Sequence, residues 1–158
     1  MRGRSKYKKK IIIPDKKFGS TMIAKFINYI MERGKKSVAQ KIVYNSLDEA
    51  AIALKGEPQE IFNKVITQVA PNVEVRSKRI GGTNYQIPVD VKEPRRTALA
   101  MRWIIEAAKA KSGKPIKSRL AEVYKESIEG TGFAIKKRSD VQKMAEANKA
   151  FAHFARSR

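Results

Sequence analysis

The chain has no cysteine and one histidine, His153. Without thiols it forms no disulfide, thiolate nucleophile or thiolate metal site, and a lone imidazole cannot complete a zinc centre or a nucleophile–base pair. Long apolar runs are also missing. Ile11-Ile12-Ile13 stops at Pro14-Asp15, too short for a signal-peptide core or a membrane span. Neither G-x-x-x-x-G-K-S/T nor G-x-G-x-x-G occurs, so no phosphate-cradling loop for a nucleotide is indicated. The nearest carboxylate pairs, Asp48-Glu49 and Glu57/Glu60, fall on a helix face and a helix start, where solvation and capping explain them. No catalytic set, metal or cofactor is expected, and the chain does not read as an enzyme.

Acidic residues are scarce as well: 15 Asp and Glu stand against 35 Lys and Arg, for a net charge of +20 and a pI near 10.3. Such an excess repels itself and is best accounted for by a polyanionic partner, with nucleic acid foremost. It is also segregated. Residues 1–41 contribute +11 and residues 76–119 contribute +9, whereas residues 42–75 carry −3. That distribution describes a binding face and an opposite face turned from the polyanion. A length of 158 residues suits one domain with a real core.

Most of the chain has helical periodicity. Residues 1–17 hold eight basic side chains without a helical period and read as a flexible N-terminal arm. Residues 18–148 read as one domain of about six helices, and 149–158 as a C-terminal tail, either frayed or packed on a neighbour. Met22, Ile23, Phe26, Ile27, Ile30 and Met31 stripe a first helix ending near Gly34. Ser37 to Gln40 resembles a capping box opening a second helix, with Val38, Ile42, Val43, Leu47, Ala50, Ala51 and Leu54 inward and Gly56 at its end. Pro58 opens a third helix along Ile61, Phe62, Val65, Ile66 and Val69. A fourth begins at Glu93-Pro94 and carries Trp103 as a core residue, and a fifth starts at Pro115. Lys114, Lys117 and Arg119 crowd the start of the fifth against the helix dipole, which phosphates gathered there would relieve. The last helix is expected to follow Lys136-Lys137-Arg138.

Between the third and fourth helices, residues 72–91 read as a protruding two-stranded antiparallel β-ribbon. Val73 and Val75 alternate on one arm, Tyr85, Ile87, Val89 and Val91 on the other, and Gly81-Gly82 supplies the reversal. A two-residue Gly81-Gly82 loop would pair Val75 with Pro88 and scatter the apolar side chains over both faces, so a three-residue loop through Thr83 is preferred; it pairs Val75 with Val89 and Arg79 with Tyr85, giving a valine face at the base and a basic, aromatic, exposed tip. The fold class is therefore mainly α with one β-ribbon and a basic arm.

Several of these stretches together resemble the S-seven (uS-seven) family of small-subunit ribosomal proteins, in its bacterial or organellar form. The similarity rests on Lys25-Phe26-Ile27-Asn28, Gly34-Lys35-Lys36-Ser37, Lys41-Ile42-Val43-Tyr44, the ribbon from Val73 to Val89, Arg95-Arg96-Thr97-Ala98-Leu99-Ala100, Trp103, Ser112-Gly113-Lys114-Pro115 and Met144 to His153. The resemblance implies a structural, non-enzymatic component of the small ribosomal subunit, on a cytoplasmic or organellar ribosome. It would bind the 3′ major domain of the small-subunit rRNA, organise head assembly, and lie near exit-site tRNA and mRNA beside other subunit proteins. RNA-binding residues are then expected in the arm (Arg2, Arg4, Lys8, Lys9, Lys10), the first helix and its turn (Lys25, Asn28, Lys35, Lys36) and the ribbon (Arg76, Lys78, Arg79, Tyr85). The same expectation covers Arg95, Arg96, Arg102, Lys109, Lys111, Lys114, Lys117, Arg119, Lys136, Lys137 and Arg138. Two other classes compete on the residues alone. An architectural DNA-binding protein could use a basic ribbon in a minor groove, but basic residues spread over several helices argue against it. An RNA-cleaving enzyme would need catalytic groups that the chain does not assemble.

Overall fold

The computed structural model describes residues 12–155. In chain order they form α1 (Thr21–Ile30), α2 (Lys36–Leu54), α3 (Pro58–Val69), β1 (Val73–Ile80), β2 (Thr83–Asp90), α4 (Glu93–Ala110), α5 (Ile116–Ile128), α6 (Gly132–Ala147) and a 3-10 helix (Lys149–Ala155). Arg2, Arg4, Lys8, Lys9 and Lys10 of the expected arm lie outside the described residues.

The core forms where the apolar stripes of α1 to α5 meet. Phe26 of α1, Phe62 of α3 and Tyr124 of α5 are fully buried, with ring centroids 5.1 to 6.5 Å apart. Val43 and Leu47 of α2 and Met101, Trp103 and Ile104 of α4 close around them. All five stripe residues of α3 are buried, behind Pro58 in its first turn. Ser20 caps α1 by accepting the Ile23 N–H at 3.4 Å.

Several local expectations are corrected. No capping box opens α2: the helix begins at Lys36, Lys35 is its N-cap, and no side chain caps it. The backbone already turns there, since the Lys36 N–H donates to the Gly34 carbonyl at 2.8 Å. Val38 is 51% exposed, because the first turn of α2 borders an open groove rather than another element. The helix ends on Lys55 in the left-handed region (φ 52°), one residue before Gly56. α6 starts at Gly132, so Lys136, Lys137 and Arg138 lie inside it and do not precede it. Gly132 makes the early start feasible: at φ +84° any added Cβ would lie 2.6 Å from a Glu126 carboxylate oxygen, so only glycine lets the chain turn this closely against α5.

The ribbon exists where expected, but with a different register. The loop has two residues, Ile80 pairs with Thr83, Val75 with Pro88, and Tyr85 lies opposite Lys78, not Arg79. Gly81 and Gly82 both have positive φ (55° and 91°), the conformation whose twist matches a two-residue hairpin loop. The shift moves Val73 and Val75 to the face opposite Ile87 and Val89, so the expected valine face does not form. Glu74 is buried instead, and its carboxylate pairs with Arg76 on the ribbon and with Arg95 of α4 at 3.2 Å. Burial works to raise the Glu74 pKa, but hydrogen bonds and charge from Arg76 and Arg95 outweigh it and hold the carboxyl below its ordinary range.

Both ends of the described chain are tied down. Asp15 is buried; it accepts the Lys17 and Phe18 N–H groups at 3.1 and 2.9 Å and the Tyr44 hydroxyl of α2. Burial and this acceptor push the Tyr44 phenol up to about 12. Lys17 meanwhile pairs with Asp48 at 2.6 Å. At the other end, the 3-10 helix packs on β2. Its three-residue repeat brings Phe151 and Phe154 to one side, 5.2 and 5.7 Å from the Tyr85 ring. Lys78 donates to the Phe154 carbonyl at 3.1 Å.

Candidate nucleic-acid interface

α4 is the element that gathers the candidate residues. Its N-terminal turn holds the ribbon through Arg95 and Glu74, its first half borders α1, and its last turn borders the α1–α2 turn and the start of α5. A groove of about 520 Å³ between α1 and α4 is lined by Lys25, Asn28 and Tyr29 on one side and Pro94, Thr97, Ala98 and Met101 on the other. Arg102 of α4 places its guanidinium 5.8 Å from the centre of the Tyr29 ring. Farther along the same seam, a groove of about 360 Å³ has an apolar floor of Ile30, Ile42, Ile105 and Leu120, and Lys35, Lys109 and Arg119 stand at its edge.

The candidate cations fall into two electrostatic groups. Around the α4–α5 corner they are already committed to carboxylates. Lys111 pairs with Glu126 and, at 3.4 Å, with Glu122; Lys114 also takes Glu122, and Lys117 takes Glu49 at 2.8 Å. Arg119 donates to the Lys111 carbonyl. The hydrogen bond from Lys114 is the main reason the Glu122 carboxyl is held low, and Glu126 in turn raises the Lys111 ammonium. Cations at the start of α5 thus have an intramolecular explanation: acidic side chains of α2 and α5 offset their conflict with the helix dipole. Lys109 is similarly paired with Glu32 at 2.8 Å, Lys137 with Glu106, and Arg96 with Glu93 at 3.3 Å, while Arg138 donates to the Gln68 carbonyl.

The second group is different. Among the described residues Lys25, Lys35, Lys36, Arg79, Arg102 and Lys136 are exposed and make no ion pair. Lys25 is on α1, Lys35 in the turn after it, Lys36 at the start of α2, Arg79 near the ribbon tip, Arg102 on α4 and Lys136 on α6. Tyr85, expected to be available at an exposed tip, is half-buried and packed into the Phe151–Phe154 cluster. Sequence reasoning passed over Tyr29. It is an exposed aromatic off the α1 apolar stripe, four residues after Lys25, a spacing that would have marked the two as one face of the helix.

No cluster of three or more His, Cys, Asp or Glu side chains that could hold a metal exists among the described residues, and no helix there is long and apolar enough to cross a membrane. The site therefore consists of isolated exposed cations, grooves with apolar floors, and a ribbon fixed to the body by a buried carboxylate.

Known proteins resemble this chain over nearly its whole length. Residues 2–149 match the family model described as ribosomal protein S7p/S5e. The chain is 52% identical to the small ribosomal subunit protein uS7 of Chromohalobacter salexigens, over 92% of this chain and 94% of that protein. It is 50% identical to the protein of the same name from Thermotoga maritima (96% and 97% covered), and 48% identical to that of Chloroflexus aurantiacus (97% and 98%).

Proposed function

The chain belongs to the ribosomal protein S7p/S5e family, and from that premise we propose that it is a structural component of the small subunit of a bacterial cytoplasmic ribosome. In this role it binds the 3′ major domain of the small-subunit rRNA, organises the subunit head with neighbouring proteins, and lies near exit-site tRNA and mRNA. The observation that carries the RNA reading is the exposed, unpaired set Lys25, Lys35, Lys36 and Arg79 on α1, its following turn, the start of α2 and the ribbon tip. Cations on separate elements suit phosphates from several RNA helices, and so recognition of shape rather than of a linear sequence. The relatives are named as ribosomal subunit proteins and not as enzymes.

The test is competition binding of the full chain to a transcript of the 3′ major domain, against length-matched duplex DNA and unrelated RNA, across a salt series. The log–log slope should be roughly −0.7 to −0.9 for each phosphate neutralised. Preference for the rRNA domain at every salt concentration supports the proposal. Equal competition by all three, lost together as salt rises, would reduce the chain to a polycation and sink it.

A further inference from the structure

We infer that the groove between α1 and α4 receives a single unstacked RNA base, with Tyr29 as its stacking platform. This rests on the proposed RNA-binding function and adds to it a residue that selects for a splayed-out nucleotide. Tyr29 is 41% exposed, off the apolar face that α1 buries. Its ring has a guanidinium on one side, from Arg102 at 5.8 Å. A flat π-surface next to an arginine is the arrangement on which exposed bases stack.

The rest of the groove has what a nucleotide needs. Thr97, Ala98 and Met101 form a largely apolar wall, and the space of about 520 Å³ accommodates a base with room for its sugar. Asn28 lines the same groove and offers both a donor and an acceptor, the pair required to read a base edge. Lys25, one turn before Tyr29, is exposed and without an ion pair, and so is available to the phosphate. The acid on the rim, Glu93, is engaged by Arg96 at 3.3 Å. The occupant is RNA and not duplex DNA because bases in a duplex are already stacked, whereas those of loops and bulges are free to leave. An apolar side chain of a protein partner would fit the wall, but has no use for Asn28, Lys25 and a flanking guanidinium together.

The test uses the full chain, the 3′ major domain transcript and the same salt series, with Tyr29→Ala, Tyr29→Leu, Tyr29→Trp and Lys25→Ala. Tyr29→Ala and Tyr29→Leu should each weaken binding by roughly 5- to 100-fold with an unchanged salt slope, and Tyr29→Trp should hold affinity within about threefold. Lys25→Ala should instead flatten the slope by about one phosphate. Since Tyr29 is outside the core, thermal unfolding of all four should match the parent protein. Full affinity in Tyr29→Ala, or in Tyr29→Leu, overturns the inference and leaves RNA binding standing. A parent protein with no preference for the transcript overturns the proposed function, and this inference with it.

Discussion

The α4–α5 corner and the α1 seam are both rich in basic residues, yet only one of them keeps its charge available. At the corner, Lys111, Lys114 and Lys117 are satisfied by Glu122, Glu126 and Glu49. Along the seam and its turn, Lys25, Lys35 and Lys36 have no acidic partner among the described residues. Positive charge counted along a sequence therefore overstates what a polyanion can reach. The corner's cations tie α5 to α4 and, through Lys117 and Glu49, to α2, whereas those of the seam stay exposed.

This contrast predicts opposite rankings for stability and for RNA affinity. Trp103, 6% exposed in the core, sets the upper end of the stability scale: Trp103→Ala should cost about 3–5 kcal/mol in denaturant unfolding. A near-native midpoint would remove α4 from the core. Next comes the ribbon anchor. Glu74→Gln removes charge-assisted hydrogen bonds to two half-exposed arginines and should cost about 1–2 kcal/mol. Its pH dependence has a definite sign. A carboxyl held below its ordinary pKa of 4.5 stabilises the fold above that value and loses its contribution as pH falls below it. The difference between parent and Glu74→Gln should therefore be full at pH 7 and shrink in acid; a pH-independent difference would mean that the ion pairs contribute nothing.

Smaller still is the corner. Lys111→Ala should cost up to about 1 kcal/mol, since its partners are partly exposed, and should leave the RNA salt slope close to that of the parent. A large slope change would show that RNA displaces the carboxylates and would dissolve the contrast between the regions. Least of all, Lys35→Ala combined with Lys36→Ala should move stability by no more than about 0.5 kcal/mol. Yet this pair should lower the salt slope by about 1.4 to 1.8, two phosphates' worth. Loss of folding, or an unchanged slope, would make these turn lysines ordinary surface charge.

The helices were legible because their information is local. Stripes such as Ile61-Phe62-Val65-Ile66-Val69 state which side is buried, and the structure buries all five. The ribbon was half legible. Its two glycines marked the turn, but the register set by their two-residue loop buries Glu74 beside Arg95, a partner 21 positions away that no alternating pattern reports. The aromatic cluster escaped for a related reason. Phe151 and Phe154 repeat every three residues, so a search for a 3.6-residue stripe finds only a sparse tail. At the candidate interface, basic residue types were visible, but their pairing was not. Whether Lys111 or Lys35 is available is decided by carboxylates on other elements.

The clamp of Phe151 and Phe154 on Tyr85 has a consequence for the order of events during synthesis. The contact from Lys78 to Phe154 spans 76 positions, so the ribbon leaves the exit tunnel well before the residues that hold it. At translation rates of roughly 5–20 residues per second, that interval lasts several seconds. During most of it the nascent hairpin has its own strands and the Glu74 anchor, α6 joining only late as Gly132–Ala147 emerge, and a two-stranded hairpin alone is marginal in water. The ribbon is therefore a late-maturing part of the molecule, and its basic tip becomes rigid only once the aromatics behind it have emerged.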